Sequence, residues 1–129
     1  MIKSYTDLEQ SHKLMEVLPL DSADMYYDVN RDGILCYPQV IVGSLWNKDI
    51  PCWSLPALFE ALPKTIGTYS KMMSYFDDAY HCDYIDEDGE CIGFDTMADN
   101  LVDAVYKMIL KLKDNDRRNE REENNTDGN

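Results

Sequence analysis

The sequence predicts an α+β fold, a three-stranded antiparallel meander with about three helices packed on one face. Three observations carry that prediction. Apolar residues recur at helical spacing near residues 7–18, after Ser54 and after Asn100. Strand-like runs rich in Tyr, Met and Phe follow one another between residues 68 and 94. Short acidic turns separate those runs, so pairing of each strand with the next is the simplest topology.

The elements are justified in chain order. Thr6 followed three residues later by Glu9 has the spacing of a capping box, and Leu8, Leu14, Met15 and Leu18 form a partial stripe before Pro19, which predicts a first helix near residues 7–18. Residues 19–50 mix Asp, Asn, Gly and Pro with one β-prone run, Gln39 to Val42, and read as loop with one short strand or hairpin. Ser54 then stands as an N-cap. Leu55, Leu58, Phe59 and Leu62 follow at helical spacing, Trp53 is placed to staple onto Leu58, and Pro63 ends the run. Three strands are predicted at Thr68 to Phe76, Ala79 to Ile85 and Cys91 to Phe94. In the second of these, alternation places Cys82 on one face with Tyr80 and Tyr84, as core. Asn100 caps a last helix whose stripe is Val102, Val105, Tyr106, Ile109 and Leu112, with Lys107, Lys111 and Lys113 late in it, where the helix dipole favours cations. Residues 1–113 are read as one domain. Residues 114–129 are a polar tail without a large apolar side chain, expected to be mobile, with Arg and Glu able to extend the helix by a turn or two.

Charge dominates the composition. Against 12 Lys and Arg stand 25 Asp and Glu, a formal net charge of −13. The segment from Met72 to Tyr106 contains no Lys or Arg but holds Asp77, Asp78, Asp83, Asp86, Glu87, Asp88, Glu90, Asp95, Asp99 and Asp103. Such one-signed density must face water, a cation or a basic partner. It disfavours direct binding to nucleic acid and to anionic lipid, since both require Lys and Arg to displace counterions. The start lacks a basic stretch followed by an apolar one, and no run approaches the length of a spanning helix, so a cytoplasmic location is expected. In that compartment Cys36, Cys52, Cys82 and Cys91 are expected as reduced thiols, mostly packed as small apolar residues.

Three stretches carry a resemblance: Ala23-Asp24-Met25-Tyr26-Tyr27, Ile50-Pro51-Cys52-Trp53-Ser54-Leu55-Pro56-Ala57-Leu58, and Asp99-Asn100-Leu101-Val102-Asp103-Ala104. Together they resemble a group of short, uncharacterised phage- and prophage-type proteins of gut bacteria, in which elements of the form PAWSLxALLxLLP and DNPVDAxxEMIxKL recur. The likeness spans most of residues 6–113. Cys52 stands where that group often has Ala, and Leu101 where it often has Pro. The resemblance implies a mobile-element origin and brings no catalytic residue with it.

Local chemistry offers few sites. Asp28-Val29-Asn30-Arg31-Asp32-Gly33 matches the first half of a calcium loop, in which oxygens at alternate positions converge on a hard cation, making Asp28, Asn30 and Asp32 the candidate metal ligands. Position twelve of that loop would be Gln39 in place of the bidentate Glu, and the competing reading is a plain Asp-Gly turn. His81-Cys82 with Cys91 lacks the paired spacing of a zinc site. A Cys–His nucleophile built from His12 or His81 has no local signature, and neither a catalytic residue nor a cofactor is assigned. Tyr69, Met73, Tyr75, Tyr80 and Tyr84 either form a recognition surface or cover one sheet face beneath the helices, the second being the commoner use of such residues.

The sequence therefore predicts a non-enzymatic accessory or interaction protein of phage or mobile-element type, with an unidentified and basic protein partner. Its candidate interaction surface is Asp77, Asp78, Asp86, Glu87, Asp88 and Glu90, residues that are otherwise merely solvated. The alternatives are an acidic DNA mimic that occupies a basic nucleic-acid-binding groove, and a divalent-cation-binding protein.

Overall fold

A computed structural model describes residues 3–30, 33–34, 37–45 and 49–127. Among the described residues, three helices, α1 (Leu8–Met15), α2 (Leu55–Glu60) and α3 (Leu101–Asp127), combine with nine strands in an α+β arrangement. The strands are β1 (Met25–Tyr27), β2 (Val29–Asn30), β3 (Gly33–Ile34), β4 (Gln39–Val40), β5 (Ile50–Cys52), β6 (Thr65–Ile66), β7 (Tyr69–Phe76), β8 (Ala79–Ile85) and β9 (Cys91–Ala98).

The predicted meander exists but is not alone and not three-stranded. Its sheet has four strands in the order β6-β7-β8-β9, because Thr65 and Ile66 fold back onto Ser70 and Tyr69 across a turn in which Gly67 takes φ +61°. A second, antiparallel sheet of order β4-β1-β5 lies in the stretch read as loop, and β2 and β3 make a separate hairpin. The expected short strand in the Gln39 to Val42 run is β4, whereas the other strands of two and three residues are too short for alternation to announce them.

Helix caps link the layers. The first cap falls one residue later than expected: the Asp7 carboxylate accepts from Gln10 N at 2.8 Å, and Gln10 Oε1 accepts from Asp7 N at 3.1 Å. Thr6 is instead fully buried, where its hydroxyl accepts from Trp53 N and meets Ser11 Oγ, joining α1 to β5. Ser54 caps α2 as expected, and Asp24 in turn accepts from Ser54 N and Oγ. Asn100 Oδ1 accepts from Asp103 N at the start of α3, whose backbone stays helical through the polar segment to Asp127.

Of the predicted α3 stripe, Val102, Val105, Ile109 and Leu112 are buried with Cys82 and Tyr84 of β8 and Tyr106 packs only partly buried against them; Met108, outside that stripe, is buried too, and Trp53, Leu58 and Leu62 complete the cluster. Helix α2 packs on α3, and α1 packs on β5. A smaller cluster of Tyr27, Ile50 and Cys52 fills the three-stranded sheet. Both helices that touch the meander's core therefore lie on one side of it. No helix among the described residues is long and apolar enough to cross a membrane.

Candidate functional site

Strand alternation sends Lys71, Met73, Tyr75, Tyr80, Cys82, Tyr84, Thr96 and Ala98 to the helix side of the meander, and the registers place their neighbours on the opposite side. That opposite side carries Met72, Ser74 and Phe76 of β7, His81, Asp83 and Ile85 of β8, and Cys91, Asp95 and Met97 of β9. None of these residues belongs to either core cluster. Met72 is 43% exposed, Phe76 53% and Met97 59%, so a large apolar area is left uncovered among the described residues.

Asp83 sits at the centre of this open face. Register sets it directly opposite Met72 on one side and Asp95 on the other. It is only 7% exposed, and its Oδ1 has no hydrogen-bond partner among the described residues. Burial raises its carboxyl above the usual range; the nearby His81 ring opposes that shift and Asp95 reinforces it. Past this pair β9 is irregular: the register slips between Asp83 and Ile85, and Gly93 takes φ +90°, a conformation that a side chain at this bulge would resist. The His81 ring lies stacked on Phe76, with centroids 3.9 Å apart and planes 6° apart. Cys91, on the same face, is exposed, and its thiol is pushed up by desolvation and by both carboxylates.

Among the described residues, no neighbouring lysine answers these carboxylates. Lys71 points to the helix side, over the Phe59 ring at 4.5 Å, and donates to the Phe59 and Leu62 carbonyls. Lys107 donates to Met97 O and Lys111 to Gly93 O and Asp95 O, which occupies the outer edge of β9 rather than its face.

The six residues predicted as one acidic surface are not brought together. Asp77 and Asp78 form the two-residue β7–β8 turn, both at positive φ (+53° and +58°), and Asp86 to Glu90 form the β8–β9 turn at the other end of β8. A seven-residue strand separates them by roughly 20 Å, beyond the range of strong mutual repulsion at physiological salt. Asp86 is also a turn-builder, since its Oδ1 accepts from Asp88 N and Glu90 N, each at 2.9 Å. Glu87, Asp88 and Glu90 are exposed.

Of the candidate metal ligands, Asp28 lies between β1 and β2, and Asn30 pairs with Gly33 in the β2–β3 hairpin. Asp32 lies outside the described residues, as does Cys36. Among the described residues, no group of three His, Cys, Asp or Glu side chains is placed to hold a metal ion. Cys52 and Cys82 are buried free thiols, and burial pushes Cys82 up to about 12, which leaves it unreactive. The tyrosines divide between the two readings: Tyr84 is fully buried and donates to Pro63 O, Tyr69 and Met73 pack partly buried against the core, and Tyr75 is 59% exposed beside Tyr80.

Asp83 and Asp95 were not singled out in the sequence. Alternation from Cys82 and Tyr84 would have placed Asp83 on the side away from the core, but its pairing with Asp95 depends on the register and bulge of β9. Comparison with family models, with curated proteins and with solved structures returns no match.

Proposed function

We propose that this protein is a non-enzymatic interaction protein of phage or mobile-element type that acts in the cytoplasm by engaging a basic protein partner. The observation that carries the reading is the partition of charge across the meander. One face is covered by helices except at Tyr75 near its end, while the other bears exposed methionine and phenylalanine side chains around carboxylates for which no described lysine serves as counter-ion. Apolar contact area with a complementary charge pattern is what a protein interface needs for affinity and for fast, selective encounter. The mobile-element character rests on the resemblance of residues 50–58 and 99–104 to phage-type proteins.

A more particular form of the reading makes the partner a nucleic-acid-binding protein, with the carboxylates standing in for phosphates. What favours it is the placing of an acidic turn at each end of the open face, so that negative charge extends along the whole length of β8. The test is capture of partners from host lysate at low and high salt. Enrichment of basic proteins at low salt, lost at high salt and competed by duplex DNA, supports the mimic. Enrichment that DNA does not compete supports the broader reading, and recovery of no basic protein overturns both.

A further inference from the structure

We infer that the Asp83–Asp95 pair on the open meander face is the receptor for an arginine side chain of the basic partner. The inference rests on the interaction reading above and gives it a place and a chemistry. Two facts independent of overall charge point to an incoming cation. One Asp83 oxygen is buried with no hydrogen-bond donor, a costly state that a donor from outside would relieve. Asp95, directly across the ladder and exposed, adds a second carboxylate of the same sign where cross-strand neighbours ordinarily avoid like charge. A single cation between them would attract both carboxylates and offset their mutual repulsion.

The surroundings select guanidinium. Its planar fork donates to two carboxylates at once, whereas an ammonium acts as a point charge. Its aliphatic stem needs apolar cover, which Met72 and Met97 offer on either side of the pair. Met72 is unbranched and flexible, so a side chain approaching the buried oxygen meets a group that can swing aside. The face, rather than the neighbouring β9 edge, is the place of contact, because the edge carbonyls at Gly93, Asp95 and Met97 are already taken by Lys107 and Lys111.

The experiment titrates the full chain, isotopically labelled, with a deca-arginine peptide at low ionic strength, following amide shifts and affinity. Two charge-matched double variants are compared: Asp83→Asn with Asp95→Asn, and Asp77→Asn with Asp78→Asn, the latter at turn positions whose positive φ Asn tolerates. The inference expects shifts centred on residues 72, 83, 95 and 97, about a tenfold or greater loss of affinity in the first variant, and roughly twofold or less in the second. Deca-lysine should bind the wild type more weakly than deca-arginine. Asp95→Asn alone alters only an exposed side chain and should still weaken binding several-fold, which keeps the test independent of any effect on the buried site. Equal losses in the two double variants, or shifts confined to the turns, would overturn this inference while leaving a diffuse basic-partner reading intact. No binding to wild type at low salt would overturn both.

Discussion

Replacing Asp83 by Asn should make this protein more stable, although the residue is buried near the middle of its longest sheet. The wild-type carboxylate forfeits one hydrogen bond at a buried oxygen, worth about 1–3 kcal/mol, and faces Asp95 across the ladder, worth a further 0.2–1 kcal/mol or so of repulsion. Asn keeps the shape, removes the charge and presents an amide able to donate toward Asp95. Its own carbonyl oxygen is still left without a donor, so the net gain is smaller than the sum, about 1 kcal/mol at pH 7. For a chain of this size that is about 3–6 °C in Tm. The gain must depend on pH with a definite sign. The folded-state pKa of Asp83 is raised, so between its ordinary unfolded value near 4 and the raised folded value the native state holds the extra proton. Wild-type stability from this group therefore falls as pH rises through that window. The advantage of Asp83→Asn is complete above the window and vanishes below it. Thermal melts of wild type, Asp83→Asn, Asp95→Asn and the double variant from pH 4 to pH 8 supply the test, and the double should gain less than the sum of the singles, since either change alone removes the repulsion. A lower Tm for Asp83→Asn at pH 7, or a gain that persists unchanged at pH 4, would refute the argument.

Three further changes test other parts of the structure. Asp78→Gly should stabilise the β7–β8 turn by about 1 kcal/mol, because both turn residues take positive φ and Asp-Gly suits such a turn better than Asp-Asp; a lower Tm would refute the turn geometry. Val105→Asp or Ile109→Asp should unfold the protein at a cost of several kcal/mol, since both side chains are buried against β8 and β9, and an unchanged melting temperature for both would refute the assigned helical face. Asp103→Asn should cost about 1 kcal/mol at pH 7, discounted for partial exposure. Burial alone would raise the Asp103 carboxyl, but hydrogen bonds from Lys3, Gln10 and Asn100 outweigh it and hold the group below the usual range. That stability is present above the ordinary carboxylate pKa and is lost as pH falls through the lowered folded value, so the variant's acid-unfolding curve should be flatter than wild type.

Long periodic segments were legible from the sequence and short ones were not. The α3 stripe, the Ser54 and Asn100 caps and the limits of β8 follow from side-chain spacing over six or more residues, where a pattern can repeat. Only β4 of the three-stranded sheet, in the β-prone run from Gln39, was visible; β1 and β5 contribute three residues each, and the pairing depends on partners distant in sequence, Met25 with both Val40 and Cys52. The misplaced first cap has a similar cause, since Thr6 is drawn into hydrogen bonds with Trp53 and Ser11 that no local motif announces. The acidic run was visible as composition, but composition is blind to direction. Asp77 and Glu87 end up at opposite ends of a strand, whereas Asp83 and Asp95, twelve positions apart, lie side by side.

The division of the lysines explains how the carboxylate pair persists without a lysine counter-ion among the described residues. Lys71 ends on backbone carbonyls at and just past the end of α2, Lys107 and Lys111 end on carbonyls of β9, and Lys3 ends on Asp103 of α3. Each of these bonds holds helix to sheet or helix to helix, so a lysine redirected to Asp83 would exchange a structural contact for relief of local repulsion. Met72 to Tyr106 supplies no other cation, and the turns at both ends of β8 add further negative charge. The buried cluster on the helix side supplies the folding free energy that outweighs an electrostatically unfavourable arrangement on the uncovered side. A basic partner would gain most where this unfavourable energy is concentrated, at Asp83 and Asp95, and least at the Asp86 turn, where the backbone amides of Asp88 and Glu90 already satisfy the carboxylate.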